Sequence, residues 1–139
     1  MMKQLLVALG EYGNDTWPDP AENPAVLKYF HDIGYQYIDD DETPWCAAFL
    51  NWVLKQCQIT GTKKLNARSF LNIGQATLTP SLGDLVILWR ISPDHWAGHC
   101  GLFIKESNNL IWILGGNQSG KVCVSTFSKK QLLGYRKVT

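Results

Sequence analysis

The segment Thr43-Pro44-Trp45-Cys46-Ala47-Ala48-Phe49-Leu50-Asn51-Trp52-Val53-Leu54 constrains the fold more than any other, because it reads as a helix with a cysteine on its first turn. Thr43 is placed to cap with its hydroxyl. Pro44 suits a first helical position where no N–H is needed, and Glu42 adds negative charge at the positive end of the helix. Cys46 then falls at the third helical position. Unpaired backbone N–H groups and the helix dipole favour thiolate over thiol there, drawing a free-cysteine pKa of about 8.5 downward. Cys46 also heads an apolar stripe with Phe49, Leu50, Val53, Leu54 and Cys57 at helical spacing. Taken alone, the stripe is the plainer reading. A second group of residues far along the chain changes the balance.

With 139 residues, 45% of them hydrophobic and 18% charged, the chain fits one domain spanning 1–139 with a core of its own. A net charge of +1 without any long run of like charge gives no electrostatic reason to expect nucleic acid or an anionic membrane as partner. Six tryptophans and five tyrosines suit the walls of a cleft that holds an extended polymer, as well as a core. The four cysteines, at 46, 57, 100 and 123, lack C-x-x-C spacing, so free thiols are expected rather than zinc or a disulfide framework. Cys46 and Cys57 stand roughly 16 Å apart along their helix, too far to bridge. His95 and His99 gain no third ligand from Asp94, Trp96 or Ala97, so no metal or other cofactor is expected. Leu5 to Leu9 is followed by Glu11 and no small-residue cleavage site, so no signal peptide is expected. No apolar stretch approaches the ~20 residues of a membrane span.

Along the chain, residues 3–9 read as a short helix ending at Gly10, and 13–23 as a loop rich in Asp, Asn and Pro. Asn23 and Pro24 open a second helix running toward Gly34. Asp39, Asp40 and Asp41 form a solvated turn or order the loop before Cys46. The central helix, 44–57, is expected to stop near Gly61 as a left-handed cap, and 66–74 reads as a short helix. After the turn at 80–84 the period changes, and 85–89, 98–105, 110–114, 122–126 and 134–138 are predicted strands. Helices followed by a meandering antiparallel sheet imply an α+β domain, with a small curled sheet packed on the central helix.

The second group begins with Gly98-His99-Cys100-Gly101-Leu102-Phe103-Ile104, where alternation sends His99 to one face of a strand and Cys100 to the other, in the core. The glycines leave room beside the imidazole. The next strand ends in Gly115-Gly116-Asn117-Gln118, and a hairpin sets that end beside His99. An Asn117 carbonyl there is expected to accept the Nδ1–H bond of His99, turning Nε2 toward the thiol. Asp84 reads as structural, at the turn into its strand.

Five segments in order carry a resemblance across almost the whole chain: Pro44-Trp45-Cys46-Ala47-Ala48-Phe49, Gly83-Asp84-Leu85-Val86-Ile87-Leu88, Gly98-His99-Cys100-Gly101-Leu102-Phe103, Leu114-Gly115-Gly116-Asn117-Gln118 and Leu133-Gly134-Tyr135-Arg136. Together they resemble the papain-like cell-wall hydrolases of the NlpC and CHAP type, in particular the small bacterial and phage branch with a Leu-Gly-Gly-Asn-Gln signature. The resemblance implies a papain-like fold, peptidoglycan as substrate, and Cys46 as nucleophile, His99 as base and Asn117 as orienting residue. Two positions depart from the pattern. Cys100 stands where the family usually has valine, and Gly115 where CHAP amidases tend to carry glutamate.

The implied reaction is acyl transfer on an amide of the cell-wall peptide, by an endopeptidase or an N-acetylmuramoyl-L-alanine amidase. The backbone N–H of Cys46 would serve the oxyanion, and Tyr37, shortly before the nucleophile, is the expected side-chain donor. Trp45, Trp89, Trp96 and Gln118 are further candidates for the cleft. The alternatives are a non-catalytic wall-binding or toxin-like domain on the same fold, and an acyltransferase with the same triad. The chain is expected to be monomeric and to act at the cell wall or periplasm after delivery by phage lysis or a secretion system. If it is an antibacterial effector, an immunity protein is an expected partner.

Overall fold

A computed structural model describes residues 3–139. Helices α1 (Lys3–Leu9), α2 (Pro24–His31) and α3 (Cys46–Gln56) come first, followed by a 3-10 turn at Ala67–Asn72. Six strands follow: β1 (Gln75–Thr77), β2 (Leu85–Trp89), β3 (Gly98–Ser107), β4 (Leu110–Gln118), β5 (Lys121–Ser128) and β6 (Leu132–Lys137). They form one antiparallel sheet in the order β1-β6-β2-β3-β4-β5. The expected α+β arrangement, helices first and then an antiparallel sheet against the cysteine helix, is the one observed. The short strand β1 was not among the expected elements.

Helix α3 is buried on every side, not along one stripe: all residues from Cys46 to Leu54 are inaccessible or nearly so. It packs on α1 and α2 on one side and on β3 and β4 on the other. A helix apolar all round is what such a central position requires. Each large apolar side chain removed from water there stabilises the fold by about 1.5–3 kcal/mol. Asn51 is the polar exception, and its amide is fully used. Nδ2 donates to the Lys64 carbonyl at 2.9 Å, while Oδ1 accepts from the Thr62 and Lys63 N–H groups at 2.8 and 3.1 Å. This explains Gly61, whose expected role as a helix cap is not observed. A Cβ at Gly61 would lie 2.3 Å from Asn51 Oδ1, so the glycine makes room for that amide, and the helix ends instead through Cys57 and a left-handed Gln58.

The start of α3 also differs from expectation. The helix begins at Cys46 with Trp45 as N-cap, and no side chain caps it. Thr43 does not cap; its hydroxyl donates to Asp40 Oδ1 at 2.9 Å, and its N–H to the same oxygen at 2.7 Å. These bonds hold the Asp40 carboxyl below its ordinary range. Asp41, fully buried, accepts from the N–H groups of Trp17 and Asn23 at 2.8 and 2.9 Å. The acidic stretch therefore orders the loop before Cys46 and is not simply a solvated turn. At α2 the expected cap is present: Asn23 Oδ1 accepts from the Ala25 N–H at 2.9 Å.

The sheet buries apolar residues on both faces. Leu85, Ile87, Cys100, Leu102, Leu114 and Val122 belong to the core around α3, whereas Val86, Leu88, Phe103, Ile111, Ile113 and Tyr135 form a second cluster. Strand alternation divides them as expected. Asp84 is structural: its carboxylate accepts from the Ser81 N–H and pairs with Lys137, both at 2.7 Å. No helix among the described residues is long and apolar enough to cross a membrane.

Candidate active site

Cys46 is the first residue of α3, nearer the helix terminus than its expected third position. Because no side chain caps the helix, the first-turn N–H groups face the space before it, where they and the dipole favour negative charge. From β3, Cys100 and the His99 ring adjoin the Cys46 sulfur closely enough to favour its thiolate. Cys100 is fully buried, as alternation requires, yet it touches the candidate nucleophile instead of only filling core. The Cys100 thiol is the largest influence on Cys46. Burial opposes it, but the bond and charge of His99 add to it, and the Cys46 thiol is held well below its ordinary range. Cys100 moves the other way, raised by its own burial and then by the neighbouring Cys46 sulfur. Burial alone would lower the His99 pKa. The bond and charge of Cys46, with the bond of Gln118, outweigh burial and hold it above its ordinary value.

Gln118 is the partner of His99, at 2.8 Å between Oε1 and Nε2. Its own Nε2 donates to the Ile113 carbonyl at 3.0 Å and the Cys123 carbonyl at 2.7 Å. Only an amide NH2 can donate to two carbonyls, so Oε1 must be the atom facing His99, and the ring must carry its proton on Nε2. Nδ1 is then the nitrogen left for Cys46. The expected Nδ1–H bond to Asn117 is not formed, and the two ring nitrogens have exchanged roles. The cause is a bulge. Gly115 pairs with Cys123 and Gln118 with Lys121, so three steps along β4 match two along β5, and the facing of the side chains shifts by one residue. Asn117 takes a left-handed φ of +56° within that bulge, a conformation that asparagine tolerates better than most residues.

Two hollows meet at His99. The smaller, about 90 Å³, contains Cys46, Asn66, Trp96, Ala97 and Gly98; the larger, about 770 Å³, is walled by Trp89, Trp112, Gln118, Ser125 and Phe127 among others. Arg90, His99 and Asn117 line both. Phe127 stacks on the imidazole with ring centroids 5.0 Å apart. Trp96, 76% exposed, stands at the smaller hollow and Trp89 at the larger. Trp45 and Tyr37 line neither. Trp45 is fully buried, with its Nε1 donating to Thr16 Oγ1 at 3.1 Å, and Tyr37 is 75% exposed beside Tyr35. Tyr37 is thus not placed to reach the thiol. Among the described residues, the side-chain amides of Asn66 and Asn117 line the smaller hollow without a hydrogen-bond partner.

The connection from β2 to β3 is clamped by Arg68, which sequence reasoning did not single out. Its guanidinium donates to the carbonyls of Ser92, Pro93 and Ala97 at 2.8–3.2 Å. A Cβ at Gly98 would lie 2.8 Å from the Leu88 carbonyl oxygen and 3.2 Å from Arg68 Cγ, so glycine is required by the neighbouring strand first and by the arginine second. Those carbonyls are 24 to 29 residues from Arg68 in sequence, so no local pattern announces the clamp. His95 accepts a bond from the Ala97 N–H at 3.1 Å, and no group of three potential metal ligands occurs among the described residues.

No protein-family model and no curated protein matches the chain. Solved structures do. The peptidoglycan hydrolase RipB from Mycobacterium tuberculosis is similar over 98% of this chain, at 17% identity and a TM-score of 0.58. An NLP/P60-family protein, similar to lipoprotein, from Staphylococcus aureus aligns over 88% at 15% identity and a TM-score of 0.46. The chain spans 63% of the RipB chain and 45% of the staphylococcal one. The resemblance drawn from the motifs is met at the level of architecture: the chain has the papain-like α+β fold of RipB.

Proposed function

We propose that the chain is a peptidoglycan hydrolase that cleaves an amide of the cell-wall peptide, with Cys46 as nucleophile, His99 as base and Gln118 as the residue that orients His99. The observation that carries this reading is the doubly anchored Gln118 amide, which leaves one His99 nitrogen turned toward a cysteine at an uncapped helix terminus. A satisfied core histidine would have no need of that alignment.

In this reaction the Cys46 thiolate adds to the amide carbonyl, and the carbonyl electrons move to oxygen. The first-turn N–H groups of α3 stabilise the oxyanion, with a side-chain amide from Asn66 or Asn117 as the second donor. His99, protonated at both nitrogens, gives its Nδ1 proton to the amide nitrogen as the oxyanion electrons return and the C–N bond breaks, leaving the acyl group on Cys46 as a thioester and releasing the amine. Water then attacks the thioester, with Nδ1 taking its proton, and Cys46 is released as thiolate. Gln118 keeps the ring in one plane throughout. Phe127, stacked on the imidazole, covers its flank from water.

Incubating the protein with purified peptidoglycan and analysing the released fragments tests the reading. New amino termini that disappear with Cys46→Ala are expected. New cross-links would mean transfer in place of hydrolysis, and neither product would leave a binding domain.

A further inference from the structure

The two hollows that meet at His99 contain no Asp, Glu or Lys, and Arg90 is the one permanently charged side chain lining either of them. It lines both. Among the described residues its guanidinium has no ion pair and no hydrogen bond, in contrast to Arg68, whose fork is filled by carbonyls. Its backbone is held on both sides. The Arg90 N–H donates to the Ala97 carbonyl at 3.2 Å, the Arg90 carbonyl accepts from Ser92 at 2.8 Å, and Arg68 clamps the connection that follows. Ile91, next in the chain, is 77% exposed and adopts φ +71°, a costly conformation for a β-branched residue that no burial recovers.

An unpaired cation on a held backbone works against the site as it stands. Its charge disfavours the imidazolium of His99, the form that balances the Cys46 thiolate. That opposition is relieved when an anion arrives. A planar guanidinium recognises a carboxylate through two parallel hydrogen bonds, and an acid-free cleft offers no competing acceptor of the same charge. We infer that Arg90 binds a carboxylate of the substrate, so that the amide preferred for cleavage is one with a free carboxyl group within about one residue of it. This specificity rests on the hydrolase reading above, and it selects among the amides of a peptide, since a bond flanked only by neutral groups would leave Arg90 unpaired.

The test uses one cross-linked or stem-peptide fragment prepared from digested wall in two forms, with free carboxylates and with the same groups converted to carboxamides. The ratio of kcat/KM for the two forms is measured for the wild type, Arg90→Gln and Arg90→Lys. A preference for the carboxylate of on the order of tenfold, the worth of a hydrogen bond to a charged group, is expected for the wild type. It falls toward unity in Arg90→Gln, is partly kept in Arg90→Lys, and shrinks as salt is raised. An equal preference in wild type and Arg90→Gln overturns the inference. If the wild type cleaves neither form, the hydrolase reading fails separately, and calorimetric binding of both forms to Cys46→Ala and to Cys46→Ala with Arg90→Gln decides the matter. Carboxylate-selective binding lost with Arg90 supports the assignment; binding indifferent to Arg90, or no binding, overturns it.

Discussion

Gln118 determines which nitrogen of His99 meets Cys46. Two backbone carbonyls, those of Ile113 and Cys123, consume the amide NH2, so the oxygen that remains can only accept, and it accepts from His99 Nε2 at 2.8 Å. A side chain 4% exposed and bonded in three directions has no other orientation available.

Gln118→Ala is therefore expected to lower kcat by about a hundred-fold, with a smaller change in KM, because the ring loses its orienting bond but keeps its nucleophile. Gln118→Glu restores the acceptor toward His99 yet sets one carboxylate oxygen, which cannot donate, against the two carbonyls that the NH2 served, so it rescues only part of the loss. Asn117→Ala removes no bond to His99 and leaves the alkaline limb of the pH-rate profile where it was. Steady-state kinetics on wall fragments with the three variants check this order. An Asn117→Ala protein as impaired as Gln118→Ala would return the orienting role to Asn117.

The opposed shifts of Cys46 and His99, one lowered and the other raised, both favour a thiolate-imidazolium pair. Cys46 ionises below its ordinary range, so activity rises as pH climbs through that lowered value. His99 stays protonated above its ordinary 6.5, and its contribution is lost as pH rises through the raised value, giving a bell-shaped profile. Iodoacetamide at pH 7 should label Cys46 ahead of Cys57, whose thiol burial pushes up, and ahead of the fully buried Cys100. Mass spectrometry of the labelled peptides gives the order.

Cys100→Val isolates one part of that pair. Valine fills similar space but removes the neighbouring thiol, the largest influence lowering the Cys46 pKa. Alkylation of Cys46 at pH 6 should slow by roughly tenfold, the worth of one hydrogen bond to a charged group, while the melting temperature changes little. Unchanged alkylation would show that His99 and the helix terminus suffice.

Most of the architecture was legible because it depends on local patterns. The Asn23-Pro24 start of α2, the strand 85–89 and the Cys46 helix all announce themselves in periodicity and capping residues. What escaped depends on events the pattern does not encode. Strand alternation carries no mark of the bulge between Gly115 and Gln118, so a strict count points to Asn117. Tyr37 is expected from its nearness in sequence to Cys46 and Trp45 as one of the tryptophans of a cleft, but the loop before α3 turns the first outward and the second is buried. Arg68 and Arg90 act through segments distant in sequence or through the absence of acidic neighbours, neither of which a linear reading displays.

The paired glycines ending β4 separate function from stability. A Cβ on Gly115 would lie 2.6 Å from Gln118 Oε1, whereas one on Gly116 would lie 2.7 Å from Phe49 Cβ and 2.8 Å from Trp45 Cζ3. Neither glycine has a left-handed φ, so the cost of substitution is one of space alone. Gly116→Ala drives a methyl group into fully buried rings of the α3 core and should destabilise the fold by about 1–3 kcal/mol, read as a lower denaturant midpoint. Gly115→Ala displaces a side-chain amide instead. Its expected signature is a kcat approaching that of Gln118→Ala with a denaturation midpoint much closer to wild type, and combining the two substitutions should add little further loss of rate. Additive losses in the double variant would mean that Gly115 acts on the site by a route other than Gln118.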